Sequence, residues 1–244
     1  MVTFAEAAAT LDGLLRPVPP VGPGICRVCH HVPSPGFDDC WSCGTTMGQV
    51  SMPVQHVVPI TIYETRGQVW HHLRQYKDSP DPATRKQLRI PLLAVLARFL
   101  TRHGDCVAPG GWDLITCVPS TRRTETQHPL LRGMRRVRSL QESVADLLEP
   151  GPTALGHNQA DDRGYVVSEP GSERVLLVDD TFTTGARLQS AASALSLAGH
   201  EVAGAVVIGR VFTPDWSADH QRVWDDCCAR PFDPTMCVEC DEHW

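Results

Sequence analysis

The spacing of apolar residues changes repeatedly along the chain, and each change marks an element. Phe4, Leu11, Leu14 and Leu15 share one helical face behind a Thr3-Phe4-Ala5-Glu6 capping box, which predicts a short helix ending near residues 13–16. A Pro/Gly-rich run over 16–24 follows as a linker. Residues 56–63 are apolar and β-branched and predict a strand; Val69, Trp70, Leu73 and Tyr76 then make a helical stripe. Asp81-Pro82 supplies an N-cap and first residue for a longer helix with Leu88, Leu92, Leu96 and Phe99 inward, kinked or broken at Pro91 and ended by Gly104. WDLITCV, residues 112–118, reads as a buried strand, and Val137, Leu140, Val144 and Leu147 predict a helix that begins near Gly133. A short strand at 165–168 precedes the aliphatic run Val175-Leu176-Leu177-Val178. Leu188, Ala191, Ala192 and Leu195 predict a helix over 186–198 that Gly199 stops, and 202–210 is strand again. Strands alternating with helices indicate an α/β fold with a parallel sheet.

The join between the aliphatic run and its helix carries the most chemistry. Residues 174–187 read RVLLVDDTFTTGAR: strand, two adjacent carboxylates, then a Thr- and Gly-containing turn that opens a helix. Backbone N–H groups at a helix N-terminus lack intrahelical partners and face the positive end of the helix dipole, which favours a phosphate dianion. Across the loop Thr181, Phe182, Thr183, Thr184 and Gly185, the three hydroxyls add donors and the glycine lets the backbone approach closely. Asp179 and Asp180 repel phosphate but accept hydrogen bonds from vicinal hydroxyls, so the pattern fits a sugar phosphate better than a bare nucleotide. An ordinary strand-to-helix turn is the plainer alternative.

At 244 residues, the chain has room for one large domain, or a core domain plus a small module. A net charge of −6 argues against bulk electrostatic binding to nucleic acid or membrane, so such a role needs a local patch. The N-terminus lacks the basic-then-apolar pattern of a signal peptide and no apolar run is long enough to span a bilayer, so a cytoplasmic protein is expected. Ten cysteines in a reducing compartment then read as metal ligands or buried thiols rather than disulfides. Cys26, Cys29, Cys40 and Cys43 form two C-x-x-C knuckles, a spacing that satisfies tetrahedral Zn²⁺ with all positions closed, hence a structural zinc. Metal binding supplies folding free energy where so few apolar residues lie between the knuckles. A redox dithiol is the rival, and His30 and His31 are expected to be exposed bystanders.

Six arginines lie within 122–138: Arg122, Arg123, Arg132, Arg135, Arg136 and Arg138. Their planar forks suit phosphate, and single-stranded nucleic acid is another target; the bland reading is a charged helix face. The acidic tail carries Cys227, Cys228, Cys237 and Cys240. A second zinc would take Cys237, Cys240 and one or both of the adjacent pair, or else His220 or His243; structural thiols are the alternative.

Residues 174–187 resemble the phosphoribosyl-pyrophosphate (PRPP) motif of type I phosphoribosyltransferases. The order of the four-cysteine module, the segment ending in Lys77, the strand into Val118-Pro119-Ser120, Arg132-Gly133 and LLVDDTFTTGA resembles more narrowly the competence-associated ComF branch, over roughly 26–211. The chain departs from that branch at Arg132-Gly133-Met134-Arg135-Arg136, where an RGFNQ-like stretch is usual, and in its cysteine-rich tail. The resemblance implies a phosphoribosyltransferase-like parallel sheet flanked by helices over 53–212, after an N-terminal helix and linker (1–24) and a zinc module (25–52), and before the tail (213–244). It implies that Asp179 and Asp180 hold the ribose hydroxyls, that 181–185 holds the 5-phosphate, and that Lys77, Ser120, Thr121, Arg132, Arg135 and Arg136 contact pyrophosphate, with Mg²⁺ on the leaving group. PRPP or a nucleotide is the implied ligand, and a homodimer is open because type I relatives often dimerise. The expected activity is phosphoribosyl transfer to an acceptor that the sequence does not name; the alternative is a non-catalytic sensor, or a zinc-stabilised adaptor in DNA uptake or processing.

Overall fold

The computed structural model describes residues 3–120 and 128–239. In chain order its elements are α1 (Phe4–Asp12), α2 (Trp41–Met47), β1 (Val58–Glu64), α3 (Gln68–Asp78), α4 (Pro82–Val107), β2 (Leu114–Cys117), α5 (Pro129–Met134), β3 (Leu148–Pro150), β4 (Tyr165–Val167), β5 (Arg174–Phe182), α6 (Ala186–Leu197), β6 (Glu201–Phe212), a 3-10 turn (Pro214–Trp216) and α7 (Ala218–Cys228). Four strands form a parallel sheet in the order β1-β6-β5-β2, and β3 pairs antiparallel with β4. The fold is the expected α/β architecture.

Strand alternation divides the core in two. Leu176, Val178, Val206 and Ile208 face the layer made by α1, α3, α4 and α5, whereas Val175, Leu177, Ala205 and Val207 face α6 and the cysteine module. All eight are buried, as parallel strands covered on both faces must be. Each such aliphatic side chain stabilises the fold by about 1.5–3 kcal/mol, so β5 and β6 are fixed before any ligand is considered. Among the described residues, no helix is long and apolar enough to cross a membrane.

Four local expectations are corrected. The capping box of α1 forms, but Phe4 is exposed and Ala7, Ala8, Leu11 and Leu15 make the inner face. Helix α4 runs through Pro91 and Gly104 to Val107, because the dense burial from Leu92 to Leu100 outweighs one lost hydrogen bond. Gly104 is no stop signal: a Cβ there would lie 2.8 Å from Trp112, so glycine admits the indole. No helix begins at Gly133. Instead α5 ends near it, since Gly133 lets the helix pass Leu93, whose Cδ2 would lie 2.8 Å from an added Cβ. The chain then follows β2, with Ile115 N–H donating to the Ser143 carbonyl (2.7 Å) and Ala145 N–H to the Ile115 carbonyl (2.9 Å). Lastly, β5 continues past both aspartates to Phe182, paired with β6 as far as Arg210, so the turn is only Thr183, Thr184 and Gly185.

Candidate functional site

The carboxyl ends of β5 and β2 lie side by side, with the Val118 N–H donating to the Val178 carbonyl (2.9 Å). In open parallel sheets this edge is where ligands bind. It holds Asp179 and Asp180, which are 8% and 2% exposed, the turn at 183–185 and, after β2, Ser120.

Alternation sends the two acids to opposite sides. Asp180 meets the end of α3, where the Tyr76 hydroxyl and Lys77 Nζ both donate to its Oδ2. Burial pushes its pKa upward, but the charges of Lys77 and His128 and the two hydrogen bonds outweigh that and hold Asp180 below the usual carboxylate range. Asp179 lies on the α6 side and accepts the Asp180 N–H at 2.8 Å. Burial, reinforced by the neighbouring Asp180 charge, pushes Asp179 up to about 7, against the lowering influence of Lys77 and Arg187. Two adjacent carboxylates thus differ in protonation by environment alone.

The turn is built for close approach. Gly185 has φ +82°, and a Cβ there would lie 2.5 Å from the Phe182 ring. Helix α6 begins at Gly185 with no side-chain cap, leaving its first N–H groups directed at the turn. Thr183 is exposed, while Thr184 is buried and its Oγ1 accepts from Ala186 and Asn158 N–H groups, each at 3.4 Å. Tyr63 Oη donates to Thr181 Oγ1 (3.4 Å). The Phe182 side chain is buried beneath the turn, so only its backbone is available to a ligand.

Sequence reasoning missed three participants. Arg210 is 3% exposed and lies under the turn: its Nη1 donates to the carbonyls of Thr183 (2.9 Å) and Val211 (2.7 Å), and its guanidinium stacks over Phe182 with its centre 5.0 Å from the ring centroid. Tyr76 belongs to the apolar stripe of α3, and the sequence carries no sign that its hydroxyl reaches Asp180. Asn158, with φ +55°, supports Thr184, and its buried Oδ1 finds no donor among the described residues. Only Asn158 left a trace in the sequence, as an asparagine in a polar segment able to adopt a left-handed turn.

Cys26, Cys29, Cys40 and Cys43 are all buried, with their four sulfurs within 4.8 Å of one another. Cys29 Sγ lies 3.9 Å from Cys26 Sγ and 3.7 Å from Cys40 Sγ. A tetrahedron of ~2.3 Å metal–sulfur bonds has edges of about 3.8 Å, so the cluster fits a structural metal such as zinc. The Cys40 N–H and Arg210 Nε each donate toward a cluster sulfur at 3.3 Å, as expected around thiolate ligands. His30 and His31 are buried, not exposed. His30 Nδ1 donates to the Pro19 carbonyl (2.8 Å) and burial lowers its pKa to about 4, while His31 packs on Phe212 with ring centroids 4.6 Å apart.

Arg132, Arg135, Arg136 and Arg138 are exposed, and Arg136 and Arg138 line a groove with Arg98, Arg102 and Phe4 at the α1–α4 layer. Thr121, Arg122 and Arg123 lie outside the described residues, as does Cys240. Among the described residues of the tail, Cys237 groups with His103 and Cys106 rather than with Cys227, which is buried against Val223 and Phe212, or Cys228, which is exposed.

No protein-family model matches the chain, and no curated protein matches it closely enough to count as a relative. The functional reading therefore rests on the residues themselves.

Proposed function

We propose that the protein binds PRPP, or a nucleotide containing ribose 5-phosphate, at the carboxyl edge of the sheet and transfers the phosphoribosyl group to an acceptor with release of pyrophosphate. The observation that carries this reading is the uncapped α6 N-terminus behind the left-handed Gly185, immediately after Asp179 and Asp180. The turn N–H groups and threonine hydroxyls hold the 5-phosphate, and the carboxylates accept the ribose hydroxyls.

An acceptor nitrogen forms its bond to the anomeric carbon as the carbon–oxygen bond to diphosphate breaks, the electron pair leaving with the diphosphate and the acceptor's proton passing to solvent. Positive charge develops on the ribose ring during this displacement, and the adjacent acids stabilise it in a site nearly closed to water. Mg²⁺ bound together with PRPP would supply neutralisation of the leaving diphosphate. Lys77 now neutralises Asp180. Moving toward the diphosphate, it frees that carboxylate for the ribose, while Ser120 meets the same group from the β2 side.

A second reading is favoured by the exposed Arg136–Arg138 groove: a non-catalytic sensor or adaptor that binds single-stranded nucleic acid there. It predicts steeply salt-dependent binding that Arg136→Ala with Arg138→Ala abolishes.

The deciding experiment is calorimetric titration with PRPP and Mg²⁺, followed by a pyrophosphate assay over purine, pyrimidine and small amine acceptors. Binding with release is the expected result. Binding without release across the panel favours the sensor, and PRPP affinity retained in Asp179→Asn with Asp180→Asn overturns the site assignment.

A further inference from the structure

We infer that the protein carries a second metal site, which pins the C-terminal segment to the end of α4 and uses His103, Cys106 and Cys237. The ligand atoms of these three residues lie within 4.8 Å of one another. His103 and Cys237 are 3% and 8% exposed and Cys106 is half-buried, so the group is enclosed by protein rather than scattered on a surface. His103 and Cys106 stand three residues apart in the last turn of α4, a spacing that places both side chains on one helix face. That turn exists only because α4 continues past Gly104.

The histidine is oriented for ligation. Its Nε2 lies 3.3 Å from the Pro234 carbonyl, which can only accept, and this contact selects the tautomer with its lone pair on Nδ1. Holding one ring nitrogen on a carbonyl while the other faces the ion is the usual support for a ligating imidazole. Two sulfurs and one imidazole nitrogen are a soft set that suits Zn²⁺ and discriminates against Mg²⁺ or Ca²⁺.

The fold supplies the reason for such a site. After α7 the chain has no further helix or strand among the described residues, yet Phe232 and Val238 pack against the main core. Few apolar contacts hold this segment, and a metal cross-link to α4 supplies the missing free energy. The same segment delivers Glu239 to His56, whose Nε2 is 2.6 Å from Glu239 Oε1, so the pin also closes the tail over the cysteine module.

Elemental analysis of the full chain, purified under reducing conditions, tests this. The expected content is about two zinc per chain, falling to about one in Cys237→Ser and in His103→Asn with Cys106→Ser. Because the latter pair alters a buried helix end, Co²⁺ substitution provides a second readout. The tail variant should lose intensity from a mixed nitrogen–sulfur tetrahedral site and keep that of the four-sulfur site. One zinc in the wild type, two retained in either variant, or a Cys106–Cys237 disulfide in the reduced preparation would each overturn the proposal.

Discussion

Arg210 Nε donates to Cys29 Sγ across 3.3 Å while Nη1 of the same guanidinium donates to the Thr183 carbonyl at 2.9 Å. One buried side chain thus joins the four-cysteine cluster to the turn before α6. Four thiolates around a divalent ion leave a double negative charge, which the guanidinium offsets, and its planar fork lets it bind the carbonyls at the same time. A second tie runs parallel: Thr46 Oγ1, on α2, lies 3.3 Å from the Thr184 carbonyl.

Arg210→Met keeps the volume and removes the donors. The variant leaves the buried Cys29 sulfur without its Arg210 donor and the part-buried Thr183 and Val211 carbonyls without theirs, so denaturant unfolding should show a clear loss of stability. PRPP affinity measured by calorimetry should fall at least about tenfold, equivalent to about 1.4 kcal/mol. Unchanged affinity would show that the turn does not depend on this support.

Gly185→Ala tests the turn itself. The left-handed conformation costs an alanine about 1–2 kcal/mol, and its Cβ would meet the Phe182 ring, which Arg210 prevents from moving away. Reduced stability together with weakened binding of inorganic phosphate is expected. A variant as stable and as phosphate-competent as the wild type would contradict this geometry.

The acid pair sets a pH dependence. Asp179 titrates near 7 in the folded protein and at about 3.9 unfolded, so the folded state holds a proton the unfolded chain releases between those values. The contribution of Asp179 to stability should therefore fall as pH rises from about 4 to about 7. Asp180 acts oppositely and in a lower window: its depressed pKa stabilises the fold above about pH 4, and that contribution is lost as pH falls further. Urea unfolding across this range should show the wild type losing stability relative to Asp179→Asn as pH rises, because the opposite contribution of the buried His30 is common to both; parallel profiles would refute the assignment.

Cys40→Ser removes one ligand of the buried cluster. The expected outcome is loss of about one zinc per chain, a lower Tm and weaker PRPP binding, because Cys29 would no longer hold Arg210 in place. Elemental analysis alongside thermal melts and calorimetry separates these effects. Loss of metal with full ligand affinity would uncouple the module from the turn.

By itself the sequence determined the features that depend on neighbours a few residues apart. The capping box at Thr3, the N-cap at Asp81, the 26–29 and 40–43 knuckles, and the succession of strand, acid pair, glycine and helix are each specified by short-range hydrogen bonds, chirality or metal geometry. Tertiary structure decided the rest. Gly104 and Gly133 read as helix boundaries in isolation, but are glycines because Trp112 and Leu93 occupy the space a side chain would need. His103 and Cys237 stand 134 positions apart, and Arg210 meets Cys29 across 181, separations at which no local periodicity carries information. Packing of α4 and the course of β6 bring these groups together, so the metal ligands and the support of the turn follow from the path of the chain rather than from any motif.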